Sequence, residues 1–137
     1  MMKKTLVAAI IFFSTYCYSQ VSFIEPIIKN NNGRAVTAGF VIIKSDENLL
    51  INKISSNISK RIEIHSMKME NDVMKMRKIE EPKIEKNKEF ILSKGGDHLM
   101  IYDLTKNLET LKAVDIEFSF TNEAGESFNR LITFEVK

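Results

Sequence analysis

Val114, Ile116, Phe118 and Phe120 are apolar at every second position, and Ile132, Phe134 and Val136 repeat the pattern near the C-terminal end. Successive side chains of a strand point to opposite faces, so this period marks half-buried strands and does not fit the 3.6-residue period of a helix. Arg61 to His65 alternates in the same way and predicts Ile62 and Ile64 facing inward. Phe40-Val41-Ile42-Ile43 is a continuous apolar run, which predicts a strand covered on both faces. Further strands are expected over Val21 to Ile28, broken by Pro26, and over Leu49 to Ile54. Turn clusters at Asn30 to Gly33 and Asp46 to Asn48 separate them. Asp103 to Leu111 alone hints at a helical turn, and the charged stretch Glu80 to Glu89 reads as a solvated loop or edge. Short strands between turns make an all-β domain, a sandwich or a small barrel. At 137 residues there is room for one such domain.

The first residues belong to a different class. Met1-Met2-Lys3-Lys4 is basic, Leu6 to Phe13 is apolar, and Cys17 and Ser19 are small residues suited to cleavage before Gln20. This predicts a signal peptide over residues 1–19 and a single domain over 20–137. Lipidation at Cys17 is disfavoured because bulky Tyr16 precedes it. The apolar run is too short for a membrane span. Cleavage removes Lys3 and Lys4, which brings 20 basic and 18 acidic side chains to neutrality, so nucleic acid is not an expected partner. It also removes the only cysteine. The exported domain then has no disulfide and no thiolate for catalysis, redox chemistry or metal binding.

What stands out in that domain is sulfur of another kind. Met67, Met69, Met74 and Met76 fall within ten residues, Met100 follows, and the two histidines, His65 and His98, bracket the group. Thioethers with imidazoles form a soft donor set that favours Cu(I) over hard cations. A two-residue hairpin loop at Glu70-Asn71 would place His65 opposite Met76 and Met67 opposite Met74, and opposite residues share a face. His98 and Met100 share a face of a later strand. With that strand beside the hairpin, His65, Met76, His98 and Met100 can surround one ion. Taken alone, a methionine-rich hairpin fills a core as readily as it holds a metal.

The spacing is specific. His65 is followed by ten residues and Met76, then by twenty-one residues and His98-Leu99-Met100, within Gly95-Gly96-Asp97-His98-Leu99-Met100. In this the chain resembles the periplasmic copper chaperones of the PCu(A)C family, over roughly residues 22–136. It departs from them at Lys94, where the family usually has proline. The sequence also ends at Lys137 without the Met/His-rich tail of some members, so a strong Cu(II) site is not expected. The resemblance implies a cupredoxin-like Greek-key β-sandwich. It implies Cu(I) as cargo, with His65, Met76, His98 and Met100 as ligands. It implies delivery in the periplasm to the CuA centre borne by a cytochrome oxidase subunit, alongside a Sco-type thiol protein. A monomer is expected. Glu63 shares a face with His65 and is a candidate for orienting its ring, although an exposed strand residue is the plainer reading.

Two other classes compete. A blue-copper electron carrier needs a cysteine ligand, which the domain lacks. An exported β-sandwich interaction module without metal accounts for the strands but not for the ligand spacing. Hydrolases are disfavoured, since there is no Gly-x-Ser-x-Gly elbow and no His-Glu-x-x-His pair. The chain is therefore not expected to be an enzyme.

Overall fold

The structure is a computed structural model describing residues 10–11 and 19–137. The predicted signal segment, with Cys17, lies almost wholly outside the described residues. Ten strands follow: β1 (Val21–Ile28), β2 (Thr37–Ser45), β3 (Leu49–Ser55), β4 (Ser59–Glu70), β5 (Val73–Lys78), β6 (Lys83–Ile84), β7 (Glu89–Leu92), β8 (His98–Leu104), β9 (Ala113–Asn122) and β10 (Ser127–Val136). The helical turn expected near residues 103–111 is a single 3-10 turn at Leu108–Thr110, capped by the Asn107 side chain. The charged stretch contributes the two-residue edge strand β6, with Ile84 buried beneath its lysines and glutamates.

Hydrogen bonding runs in the order β5-β4-β8-β2-β1-β10-β9-β3-β6, with β7 also paired to β2. All of these pairings are antiparallel except the short β1–β10 contact. The non-consecutive neighbours are Greek-key crossings. The two arms of this path face each other across one core, a β-sandwich in which the inward positions of β2, β4 and β8 meet those of β3, β9 and β10.

The alternating residues supply that core. Ile116, Phe118, Phe120 and Phe134 are fully buried, and Phe118 lies 6.1 and 6.3 Å, ring to ring, from Phe120 and Phe134. Ile62 and Ile64 of β4 and Leu99 and Ile101 of β8 close it from the other side. The expectation of a strand covered on both faces fails at β2. Val41 and Ile43 are buried, whereas Phe40 and Ile42 are half-buried, because β2 has a layer packed on its inner face only.

Burying Leu99 and Ile101 turns His98 and Met100 outward, since neighbours on a strand point opposite ways. The position of β8 is fixed partly by Gly39, its partner on β2. A Cβ at Gly39 would sit 3.2 Å from Leu99 Cδ1 and 3.3 Å from Leu99 Cβ. Gly39→Val therefore crowds the Leu99 side chain, which must shift to make room. It is expected to lower stability by about 1–3 kcal/mol, as overpacking does. The urea midpoint measures this, and an unchanged midpoint would show that β8 yields without cost.

Candidate metal centre

The outward face of β4, β5 and β8 gathers the residues singled out by spacing. β8 lies antiparallel to β4 with His98 directly opposite His65 and Met100 opposite Glu63. The two imidazole centres are 6.4 Å apart with planes inclined at 30°. Both histidines are buried, His65 to 9% and His98 to 8% exposure, which is low for side chains outside the core. Met100 is half-buried beside them.

The hairpin register differs from the expected one. The loop is Asn71-Asp72, not Glu70-Asn71, so His65 faces Lys78, Met67 faces Met76 and Met69 faces Met74. The cause is local. Asn71 and Asp72 both have positive φ, 50° and 62°, as a type I′ hairpin turn demands, and Asn and Asp tolerate that region far better than Glu. The difference is two residues, an even slip, so every side chain keeps its predicted face. Met76 thus stays on the histidine face but sits diagonal to His65. That separation is about 7–8 Å between backbones and within reach of a long side chain. Lys78, now opposite His65, directs its ammonium to Glu63 (3.9 Å) and Glu80 (3.4 Å).

In the neutral rings, hydrogen bonding sets which nitrogen carries the hydrogen. His65 Nε2 lies 2.8 Å from Glu63 Oε2. An ionised carboxylate only accepts, so Nε2 carries the hydrogen and Nδ1 carries the lone pair. That Nδ1 is buried and has no hydrogen-bond partner among the described residues. His98 reverses the arrangement: its Nδ1 donates to the Gly96 carbonyl at 2.8 Å, which leaves the Nε2 lone pair free. Metal-binding histidines ordinarily have such a carboxylate or carbonyl behind the non-ligating nitrogen. The Tyr102 hydroxyl lies 3.4 Å from His65 Nε2, and Arg61 covers the Tyr102 ring at 4.2 Å.

Glu63 is therefore more than an exposed strand residue. The hydrogen bond from His65 holds its carboxyl below the ordinary range, helped by Arg61 and Lys78 and opposed by partial burial. With a lowered folded-state pKa, its contribution to stability is present above the unfolded value and is lost as pH falls through the folded one. The carbonyl of Gly96, by contrast, had no signature in the sequence.

The donor chemistry is restricted. Among the described residues no three His, Cys, Asp or Glu side chains cluster as a metal site. The thioethers of Met76 and Met100 are on the same face as the two imidazoles, and imidazole with thioether is a donor set that suits a soft monovalent ion better than Zn(II) or Mg(II).

Residues 21–129 match the LpqE-like family model, whose description reads "Putative lipoprotein LpqE-like". No curated protein matches the chain in sequence. Among solved structures it is similar to the apo PCuAC domain of PmoF2, at a TM-score of 0.64 and 13% identity over 85% of this chain and 89% of that one. The copper-bound PCuAC domain from PmoF2 gives 0.61 and 11%, over 85% and 93%. The apo-DR1885 solution structure from Deinococcus radiodurans gives 0.52 and 14%, over 100% and 95%. At such identities the likeness establishes the cupredoxin-like sandwich and nothing further. No described helix is long and apolar enough to cross a membrane.

Proposed function

The chain belongs to the LpqE-like family, and on that premise we propose that it is an exported copper carrier rather than an enzyme. In this reading residues 1–19 direct export, and residues 20–137 hold one Cu(I) through His65, Met76, His98 and Met100. The carrier acts as a monomer in the periplasm. It releases its ion to the CuA-bearing subunit of a cytochrome oxidase, directly or by way of a Sco-type thiol protein. The recipient rests on the resemblance of the ligand spacing. The fold supports it, being shared with a domain solved with copper bound.

One observation carries the site assignment. Two buried imidazoles stand on directly opposed strand positions, each with one nitrogen committed to an acceptor and the other left with its lone pair. A buried polar atom without a partner costs on the order of 1–3 kcal/mol unless something satisfies it. A bound soft ion would satisfy His65 Nδ1. Neutral ligands leave the charge of Cu(I) uncompensated, which keeps the ion exchangeable toward a thiolate acceptor.

An anaerobic Cu(I) competition titration against a chromophoric chelator tests this. One tight equivalent is expected. Affinity should fall as pH drops through the range where imidazoles protonate, near about 6.5, because thioethers take up no proton there. Binding equal at pH 5 and pH 7.5 would sink the two-histidine assignment. Zn(II) should bind weakly, and tight Zn(II) binding indifferent to Met76→Ala would contradict the thioether ligands. No Cu(I) binding at all would return the chain to the class of exported interaction modules.

A further inference from the structure

Three methionines of the hairpin are not needed by the site above. Met67 pairs with Met76 across the hairpin, and Met69 pairs with Met74 next to the turn. Met69 and Met74 are 63% and 51% exposed, so they are not core filling. They sit on the face that carries His65 and His98. The opposite face of the hairpin is charged: Lys68 pairs with Lys75, and Glu70 bridges Lys75 at 3.3 Å and Arg77 at 3.5 Å. Near its tip the hairpin thus carries all four thioethers on one side and Lys68, Glu70, Lys75 and Arg77 on the other, while Lys78 lies further down on the thioether side, opposite His65. We propose that Met67, Met69 and Met74 form a second, outer soft-metal site at the hairpin tip, one that takes Cu(I) or Ag(I) through sulfur alone.

The geometry permits it. Opposed residues have Cβ atoms about 4.5–5.5 Å apart, and Met67 and Met69 are one strand repeat apart, about 7 Å. Each side chain has three rotatable bonds, so three sulfurs can converge on one ion. Thioethers select soft monovalent copper and silver over hard cations. The outer site holds no imidazole, so its occupancy is independent of pH where the inner site's is not. It lies one strand repeat beyond Met76, where an arriving ion meets the protein before the buried histidines. This role as an entry station rests on the copper-carrier reading, whereas the binding itself does not.

Ag(I) titration of the mature chain, residues 20–137, which lacks the Cys17 thiol that would itself take silver, read by native mass spectrometry at pH 7, separates the two ideas. The parent is expected to take two equivalents. The double variant Met69→Leu/Met74→Leu, which keeps size and apolarity at exposed positions, should lose the outer equivalent and keep the inner one. His98→Ala should do the reverse. In the parent, the ε-methyl NMR signals of Met69 and Met74 should move with one equivalent and not with the other, a readout that needs no variant. If the parent takes one equivalent that His98→Ala abolishes, the outer site does not exist and the carrier reading stands. Two equivalents retained by the double leucine variant would likewise overturn the outer site. If one equivalent is lost in the double leucine variant and unaffected by His98→Ala, the outer site stands and the His/Met centre fails. No bound silver at all refutes both.

Discussion

His65→Ala is expected to abolish tight Cu(I) binding, and Glu63→Gln, which leaves every ligand in place, to weaken it about 10- to 100-fold. The second effect is the more diagnostic. Glu63 can only accept, so it compels His65 to carry its hydrogen on Nε2 and to present a bare Nδ1. A glutamine at 63 has an amide that can donate to Nε2, which licenses the other tautomer and places a hydrogen on the ligating nitrogen. The ring stays in position, the lone pair does not. A chelator competition on Glu63→Gln beside the parent reads the loss directly. The urea midpoints of the two proteins at pH 7 separate an altered tautomer from an altered fold. Unchanged affinity in Glu63→Gln would mean that His65 binds through some other nitrogen or does not bind at all.

The second large effect lies in the core. Phe118 is fully buried and lies 5.3 Å, ring to ring, from Phe23 as well as against Phe120 and Phe134, so it joins strands from both ends of the chain. Phe118→Ala removes a ring whose neighbours cannot collapse into the space, a change that costs about 3–5 kcal/mol. Domains of this kind are stable by about 5–15 kcal/mol in total, and here no disulfide shares the burden. Equilibrium urea denaturation is expected to show a large fall in midpoint, with the variant partly unfolded before denaturant is added if the parent lies at the low end. A loss below about 1 kcal/mol would mean that the aromatic cluster repacks around the gap.

Much of this architecture is legible in the sequence. Phe118, Phe120 and Phe134 announced buried strand faces because alternation is a local property of a strand. The face of each methionine was also readable, since parity survives an even slip of register. The register itself was not. It was set by the willingness of Asn71 and Asp72 to take positive φ, which decides between two loops of equal length. The pairing of His65 with His98 joins segments 33 positions apart, and strand order is decided by the whole core, not by either segment. Glu63 offers a signal, its place two residues from His65 on the same face, but that signal fits an exposed strand residue as well as a carboxylate that orients the ring. The Gly96 carbonyl offered none, because any residue would supply the same atom.

The proposed ligands come from three strands that are neighbours only in the folded sheet. An unfolded chain cannot reproduce the set, so a captured ion acts as a reversible cross-link between the hairpin and β8. Binding that favours the native state adds stability by mass action, about 2.7 kcal/mol when free metal stands at a hundred times its dissociation constant. Cargo and persistence are thereby coupled. The loaded molecule resists opening, while the emptied one opens more often and offers its backbone to proteases at a rate that follows its open population.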